Sequence, residues 1–391
     1  MEKVKLKDIG TIVTGNTPSK KKLEYYINKD ICFFKPSDIE DNGVIKLKKS
    51  EEYISEKARE KVRMLPKNSV LVTCIGTIGK VGIIEKEACC NQQINAIITN
   101  KNINPKYIAY SILNKKQWLQ QKANAPVVPI INKSDFSNVE IYIHNIEEQN
   151  IIVNQLDKVQ EIIDLRKKQI EELDELIKSR FVEMFENPKL NEKNWIKAPM
   201  GKYMTVLTDF SSNGSYKTLD STVVMYDEPN YAYMVRTIDL ENEEYKNNVK
   251  YITEEAYNFL SKSKVYPNDI IMNKIGSAGK VYLMPDVGMP VSLGRNAFLF
   301  RYNDDVVPLF IYYLLKSEYG TNEISQYVRG AVTKTITKDD VRKVKIIVPP
   351  IELQNKFAEF VRQIDEQKIS IEKGLKETEE LQESLMNKYF S

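Results

Sequence analysis

The side chains that commonly perform acid–base and nucleophilic chemistry are scarce in this sequence. Of its 391 residues one is a histidine, His144, and four are cysteines. Ser-His-Asp hydrolysis, Cys-His hydrolysis and His-rich metal catalysis would therefore all depend on that one imidazole. We expect His144 to be an exposed residue at a junction between elements, and we predict no catalytic residue and no metal site in this chain.

The cysteines do not have the spacing of a metal or redox site. Cys32, Cys74, Cys89 and Cys90 contain no C-x-x-C pair, whereas a zinc site needs two spaced pairs. Buried free thiols are typical of proteins in a reducing compartment, so we expect a cytoplasmic protein. The sequence also has no run near the roughly 18 apolar residues that a membrane helix needs, so we expect no membrane partner.

Two further motifs suggest chemistry but are better explained by structure. The segments GTIGK at 76–80 and GSAGK at 276–280 lack the G-x-x-x-x-G-K-[ST] spacing of a phosphate-binding loop, which favours a tight turn between strands. The segment DEPNY at 227–231 has the residues of an adenine methyltransferase motif in a scrambled order. No glycine-rich turn accompanies it to bind S-adenosylmethionine, so we do not expect this chain to methylate a base itself.

The elements that must position any functional residue occur twice. YISEKA at 53–58 matches YITEEA at 251–256, and IGTIGKV at 75–81 matches IGSAGKV at 275–281. INKSDF at 131–136 then corresponds to ITKDDV at 336–341, and IEEQ at 146–149 to IELQ at 351–354. The matches keep their order along the chain, which indicates two similar halves.

Each half changes once from a mixed segment to a long helical one. Residues 1–147 and 193–349 combine short β-branched and aromatic runs, turn signals and short helical stretches, which predicts two α+β globules. In 148–187 and 351–391 apolar residues recur at alternating spacings of four and three, which is typical of a two-helix coiled coil. The predicted pairing residues are Ile152, Leu156, Val159, Ile163, Ile170, Leu173, Ile177, Phe357, Val361, Ile364, Ile371, Leu375 and Leu385.

Two long amphipathic helices can bury their apolar stripes against one another. The predicted fold class is therefore α+β, with two pseudo-symmetric mixed α/β globules separated by two long α-helices that pair as an antiparallel coiled coil. Such a helix pair would be about 60 Å long, which is comparable to one to two turns of B-DNA. The alternative is that each helix folds back on its own globule.

The basic residues of the globules cluster in polar, turn-rich stretches, although the net charge of the chain is only +3. Lysine and arginine neutralise DNA phosphates, and arginine, asparagine and serine can read base edges. The scaffold segments repeat but these stretches do not, so the predicted target is bipartite and asymmetric. The candidate DNA-binding residues are Asn16, Thr17, Ser19, Lys20, Lys21, Lys22, Lys35, Lys80, Ser212, Asn213, Tyr216, Lys217, Arg236, Lys274, Lys280, Arg295 and Lys334.

Several segments carry a resemblance to a known family. They are LKDIG at 6–10 followed by GNTPS at 15–19, the Gly-x-x-Gly-Lys-Val turns at Gly76 and Gly276, and VPPIELQ at 348–354. In their order and duplication they resemble the specificity subunits of type I restriction-modification systems. Two differences are that His144-Asn145 replaces the proline pair in the first half, and that the second half lacks a Gly-x-Thr-Pro-Ser segment.

The resemblance implies an organisation in four segments. Target recognition domain 1 would be 1–147, spacer helix 1 would be 148–187, target recognition domain 2 would be 193–349 and spacer helix 2 would be 351–391. The domains would each read half of a site in double-stranded DNA. The helices would dock two modification subunits that methylate adenine, and a restriction subunit with translocase and nuclease activity would join them.

The resemblance also implies that the chemistry belongs to partners. S-adenosylmethionine, ATP and Mg would be bound by those subunits, with no cofactor in this chain. The sequence thus predicts a non-catalytic DNA-recognition subunit. The alternative function is a coiled-coil adaptor that joins two protein-binding heads without recognising DNA. A fused methyltransferase-nuclease is disfavoured by the missing motifs and the single histidine.

Overall fold

The structure is a computed structural model that describes residues 1–41, 43–123 and 128–391. The chain divides into two units, which are described separately. Unit 1 consists of Met1–Gln169 and Ile371–Ser391, and unit 2 consists of Ile170–Ser370. Unit 1 is therefore assembled from two separate stretches of chain, whereas unit 2 is one continuous stretch.

Unit 1 is built around a mixed sheet of short, β-branched strands. Its strands are β1 (Glu2–Lys5), β2 (Gly10–Thr14), β3 (Ile31–Phe34), β4 (Val44–Leu47), β5 (Glu52–Ile54), β6 (Val70–Thr73), β7 (Val81–Ile84), β8 (Cys89–Cys90), β9 (Ile94–Thr99) and β10 (Glu140–Ile143). Its helices are α1 (Leu6–Ile9), α2 (Pro105–Asn114), α3 (Lys116–Lys122), α4 (Lys133–Ser137) and residues 146–169 of α5 (Ile146–Phe185). A five-stranded sheet has the order β2-β9-β6-β7-β4, a three-stranded sheet has the order β5-β3-β8, and β1 pairs with β10.

Unit 2 repeats this plan. Its strands are β11 (Ile196–Pro199), β12 (Met204–Asp209), β13 (Ala232–Val235), β14 (Tyr251–Ile252), β15 (Lys264–Val265), β16 (Ile270–Asn273), β17 (Val281–Leu283), β18 (Val291–Leu293), β19 (Ala297–Tyr302) and β20 (Lys345–Val348). Its helices, besides the end of α5, are α6 (Tyr216–Thr222), α7 (Thr237–Glu241), α8 (Glu254–Phe259), α9 (Pro308–Lys316), α10 (Glu318–Ser325), α11 (Lys338–Lys343) and residues 351–370 of α12 (Ile351–Phe390). The sheets have the orders β12-β19-β16-β17 and β14-β13-β18-β15, and β11 pairs with β20.

The strand orders confirm the duplication that the sequence predicts. The sequence of strands β2-β9-β6-β7 in unit 1 corresponds to β12-β19-β16-β17 in unit 2, and β5-β3-β8 corresponds to β14-β13-β18. In both units the strand that opens the segment pairs antiparallel with the strand that precedes a long helix. The differences are β4 at one edge in unit 1 and β15 at one edge in unit 2.

The long helices pair antiparallel in unit 1. The Tyr389 hydroxyl donates to Gln155 Oε1 over 2.6 Å, and Lys167 Nζ lies 3.1 Å from Glu379 Oε1. As the residue number rises along α5, the number of its partner on α12 falls, so the two helices are antiparallel. The end of α12 also completes the core of the unit, because Phe390 is fully buried and its ring lies 5.1 Å from that of Tyr107.

The two long helices also pair in unit 2, where aromatic rings pack between them. Lys368 Nζ lies 2.7 Å from Asp174 Oδ1. Two turns or more away, the ring of Phe357 lies 5.4 Å from that of Phe181 and 5.5 Å from that of Phe185. These rings belong to the core of unit 2 together with the sheet and α9.

The predicted α+β class and the antiparallel helix pairing are confirmed within each unit. Each long helix pairs with the other and also joins the core of a globule, so the two alternatives weighed from the sequence are not exclusive. Among the predicted pairing residues, those that are buried are Ile152, Leu156, Val159, Ile163, Ile177, Phe357, Val361 and Ile364. Those that are partly exposed are Ile170, Leu173, Ile371, Leu375 and Leu385.

A repeated glutamine connects each long helix to its globule. Gln354 is fully buried; its amide oxygen accepts from the Val307 backbone N–H over 2.9 Å and its amide nitrogen donates to the Pro349 carbonyl over 2.8 Å. Gln149 occupies the equivalent place in unit 1, accepting from the Asn104 N–H over 2.9 Å. Each glutamine thus accepts a hydrogen bond from the N-cap residue of a core helix, α9 for Gln354 and α2 for Gln149.

We expect Gln354→Ala to lower the free energy of unfolding of unit 2 by about 2 kcal/mol, because it leaves buried backbone groups without partners. The chain has two tryptophans, Trp118 in unit 1 and Trp195 in unit 2. In a Trp118→Phe background, urea unfolding followed by fluorescence therefore reports on unit 2. The control is Gln363→Ala, an exposed glutamine of the same helix; equal effects of the two variants would contradict the prediction.

Candidate nucleic-acid interface

The loop that follows β2 in unit 1 contains the first group of candidate residues. Two of them fix the loop rather than project from it. The Asn16 amide donates to the Lys61 carbonyl over 2.7 Å and accepts from the Arg63 N–H over 2.9 Å. The Thr17 hydroxyl donates to Gln92 Oε1 over 2.7 Å. We therefore expect these two side chains to position the loop.

The remaining part of this loop presents its polar groups to solvent. Ser19, Lys20, Lys21 and Lys22 are all exposed. A short 3-10 helix, Leu23–Tyr25, follows them and is anchored by Tyr25, which is 6% exposed. We call residues 19–22 the basic loop. It places three positive charges next to one another on a fixed support.

The Gly-x-x-Gly-Lys segments form the same tight turn in both units, as the sequence predicts. Gly79 and Gly279 have φ angles of +84° and +90°, a region that favours glycine. The Gly79 N–H donates to the Thr73 carbonyl over 2.9 Å, and the Gly279 N–H to the Asn273 carbonyl over 2.8 Å. The turns join β6 to β7 and β16 to β17, with Lys80 half-buried and Lys280 exposed.

Unit 2 contains a buried ionic cluster centred on Asp209, the last residue of β12. Its carboxylate accepts from Lys274 Nζ and from Lys338 Nζ, each over 2.8 Å, and from the Ser212 hydroxyl over 2.7 Å. Burial alone would raise the pKa of Asp209, but these three hydrogen bonds outweigh it and lower the pKa to about 2. The carboxylate is therefore charged throughout the physiological range, and it neutralises two lysines.

Other basic candidates are also engaged with carboxylates. Arg236 forms an ion pair with Asp239 at 2.6 Å, and this pairing raises its pKa. Arg295 pairs with Asp220, and Lys35 pairs with Glu52. The Asn213 amide donates to the Ser263 hydroxyl over 2.8 Å. These side chains would have to exchange a protein partner for a phosphate or a base in order to bind DNA.

The exposed candidates of unit 2 lie on the first turn of α6, on the Gly turn and on the loop that carries Lys334. Tyr216, 68% exposed, and Lys217 open α6. Lys280 and Lys334 line one cavity of about 560 Å³, together with Ser277, Glu241 and Glu243. The structure thus brings the Gly turn and the loop of Lys334 together, and it leaves Tyr216 and Lys217 on a separate element.

Three residues near these candidates are missed by sequence reasoning. Lys338 joins the Asp209 cluster, and its only sequence signal is that it occupies the place of Lys133 in the repeat. The Arg63 guanidinium donates to the Thr14 carbonyl over 2.6 Å, at the end of β2. Val332 is 98% exposed, and nothing in its sequence pattern distinguishes it from a strand residue.

The side chain of the single histidine lies between two elements of unit 1. The expectation of an exposed His144 is wrong: it is half-buried between β10 and α5, where Nδ1 lies 2.7 Å from the Tyr107 hydroxyl. That hydroxyl also donates to the Tyr142 carbonyl over 2.9 Å, so Tyr107 of α2 contacts both the imidazole and β10. Within the described residues no group of three or more His, Cys, Asp or Glu could hold a metal ion.

The four cysteines are free and buried. Burial raises the pKa of the Cys74 and Cys89 thiols to about 12. Since the thiolate is the reactive form, these side chains are inert packing groups at neutral pH.

No helix in the described part of the chain is long and apolar enough to cross a membrane.

The sequence and the fold both match known proteins. The sequence pattern described as "Type I restriction modification DNA specificity domain" matches residues 1–175 and 206–381. The chain is 26% identical over 407 residues to the type I restriction enzyme MjaIX specificity subunit of Methanocaldococcus jannaschii, covering 98% of this chain and 91% of that protein. It is 33% identical over 186 residues to the EcoR124I/EcoR124II specificity subunit of Escherichia coli, covering 42% of this chain and 45% of that protein.

The fold has a counterpart among solved structures. The S subunit of a type I restriction-modification system from M. genitalium superposes with a TM-score of 0.58 at 15% identity, covering 100% of this chain and 96% of that one. At this identity the likeness concerns the fold alone.

Proposed function

Since this chain belongs to the family of type I restriction-modification specificity subunits, we propose that its two units each read one part of a bipartite DNA site. The observation that carries the proposal is the combination of a duplicated scaffold with different loops. The two units share a strand order and a Gly turn, but the basic loop of unit 1 has no counterpart in the segment that follows β12. Two similar scaffolds that carry different loops can each bind a different DNA sequence, which fits an asymmetric DNA site.

The side chains available for DNA fall into two classes. The exposed ones lie in the basic loop and at Tyr216, Lys217, Lys280 and Lys334. Within the described residues they can meet phosphates and bases without breaking an ion pair, although Lys22 and Lys280 each lie over a tyrosine ring. The ion-paired ones, such as Lys274 with its side chain 16% exposed, stabilise the loops instead. We propose that contact with DNA is made first by the exposed class, and that this chain itself is not catalytic.

The long helices offer a surface for partner subunits. In unit 1, Ile151, Ile162 and Leu165 of α5 are 57%, 43% and 53% exposed. Residues 151 and 162 are eleven positions apart, about three helical turns, and 165 follows one turn later, so the three lie on one face. In unit 2, Leu176 and Val182 of the same helix are 46% and 59% exposed. These two are six positions apart and therefore lie about 120° from each other around the helix, so it is the three unit 1 residues that form an apolar face suited to a further helix.

We propose that the exposed surfaces of the long helices dock two modification subunits, and that a restriction subunit joins the complex. S-adenosylmethionine, ATP and Mg would then be bound by those partners, and the reactions would take place on them. Free, buried thiols fit a complex that works in the cytoplasm.

The experiment that tests the function is a mobility shift with the complex of this chain and its co-expressed modification subunit. We expect binding that weakens steeply with salt, because each phosphate contact releases counterions. Replacing Lys20, Lys21 and Lys22 together by alanine should reduce the slope of log Kobs against log[salt] by about 2 to 3.

The matched control replaces Lys7, Lys86 and Lys101, three exposed lysines of unit 1 outside the basic loop, and should leave the slope unchanged. Binding that is absent or insensitive to salt would refute the DNA-recognition proposal and favour an adaptor that joins protein partners. Sequencing of methylated adenines in cells that carry both subunits gives the recognised site.

A further inference from the structure

Residues 329–335 of unit 2 form a closed, projecting loop, which we call the finger. Its base is closed by two hydrogen bonds, from the Arg329 N–H to the Thr335 carbonyl over 2.9 Å and from the Thr335 N–H to the Arg329 carbonyl over 2.7 Å. Gly330 has a φ angle of +103°, and a Cβ at this position would lie 2.1 Å from the Thr333 carbonyl oxygen. The bend therefore requires glycine, so the loop has a defined shape.

The finger is fixed to the Gly turn. The Gly276 N–H donates to the Lys334 carbonyl over 3.0 Å, and the Ile336 N–H donates to the Lys274 carbonyl over 3.1 Å. Ile336, just past the finger, is 4% exposed and belongs to the core of unit 2. The finger thus projects from a rigid base.

Unit 1 repeats this attachment. The Gly76 N–H donates to the Pro129 carbonyl over 3.0 Å, and the Ile131 N–H donates to the Cys74 carbonyl over 2.9 Å. Residues 124–127 lie outside the described residues. The attachment of this part of the chain to the Gly turn is therefore a feature of the duplicated scaffold.

The apex of the finger carries an unusual residue for its position. Val332 is 98% exposed, whereas tight turns favour Gly, Asn, Asp or Ser, and valine favours buried strands. The finger, with the sequence RGAVTKT, contains Arg329 and Lys334 and no acidic residue. Arg329 holds the base by pairing with the buried Asp340 at 3.0 Å, which leaves Lys334 as the outward charge.

We propose that the finger enters a groove of the DNA, where Val332 makes apolar contact with the bases and Lys334 contacts a phosphate. This inference rests on the proposed DNA recognition and extends it to a specific element. An apolar side chain can pack against a thymine methyl group or press between base pairs. Both are apolar contacts with bases, and both exclude water from a side chain that the protein alone leaves exposed.

The test uses the complex with the modification subunit and a duplex that carries the site found by methylated-adenine sequencing. We expect Val332→Ser to weaken binding roughly tenfold without changing the salt slope, and to relax the sequence requirement in one half of the site only. Lys334→Ala should instead reduce the salt slope by about 1 and leave the sequence requirement unchanged. The control is Ile196→Ser, an aliphatic residue of β11 that is 63% exposed, which should change neither.

Two modified duplexes identify the kind of contact. If Val332 packs on a methyl group, replacing thymine by uracil in that half-site will weaken binding by the wild type but not by Val332→Ser. If it presses between bases, 2-aminopurine fluorescence will rise with the wild type only. Wild-type binding that Val332→Ser leaves unaltered in affinity and sequence requirement would overturn the inference while leaving DNA recognition intact; no binding by the wild type would overturn both.

Discussion

Replacing Phe357 by alanine is expected to lower the free energy of unfolding of unit 2 by about 4 kcal/mol, which is typical of removing a fully buried ring. The Phe357 side chain is fully buried, and its ring packs edge-on against those of Phe181, Phe185 and Tyr313 at 5.4 to 5.5 Å. The first two lie on α5 and the third on α9, so the substitution removes the packing that joins three helices at one point.

The measurement is urea unfolding followed by Trp195 fluorescence in the Trp118→Phe background. The control is Phe360→Ala on the same helix, because Phe360 is only partly buried and Arg180 packs on its ring at 5.6 Å. We expect a loss of about 1 kcal/mol or less for the control, since its ring remains partly in water. Similar losses for the two variants would show that the aromatic contacts do not stabilise unit 2 as proposed.

Asp209→Ala is expected to destabilise unit 2 by about 3 kcal/mol, because removing one member of a buried ionic cluster leaves the others uncompensated. The side chains of Lys274 and Lys338 are only 16% and 30% exposed, so water cannot fully replace the lost carboxylate. The double variant Lys274→Met/Lys338→Met, combined with Asp209→Ala, should recover part of the loss. An uncharged triple variant as unstable as Asp209→Ala alone would contradict this explanation.

The Asp209 cluster should also make the unfolding free energy of unit 2 depend on pH. The pKa of Asp209 is lowered from its ordinary value to about 2 in the folded chain. Its contribution to stability is therefore present above the unfolded pKa of about 4 and is lost as the pH falls towards 2. The difference in unfolding free energy between wild type and Asp209→Ala should accordingly be constant from pH 5 to 7 and shrink between pH 4 and 2.

The long helices are the part of the fold that sequence reasoning predicts best. The boundaries predicted as 148–187 and 351–391 compare with Ile146–Phe185 and Ile351–Phe390 in the structure. Helical periodicity is a local signal, and here it persists over forty residues. A pattern of that length distinguishes a helix from a strand reliably. The duplication is equally accessible, because four matched segments in the same order reveal it without any knowledge of contacts.

The candidate interface is harder to predict because the partner of a charged residue is set by distant parts of the chain. Lys274 and Lys338 meet at Asp209, which is 65 and 129 residues away from them in sequence. From the sequence alone, Lys274 looks like any other lysine of a turn-rich stretch. The aromatic residues Phe181 and Phe185 are missed among the pairing residues for the same reason, since their packing on α9 depends on the tertiary fold.

The assembly of unit 1 from two stretches of chain has a consequence for biosynthesis. Phe390 and Met386 belong to its core with Leu156 and Tyr107, so that core is incomplete until residues 371–391 have been translated. Unit 2, made of the continuous stretch Ile170–Ser370, can be completed earlier, because domains fold as they are synthesised. The unit whose sequence begins first is therefore the one that finishes folding last.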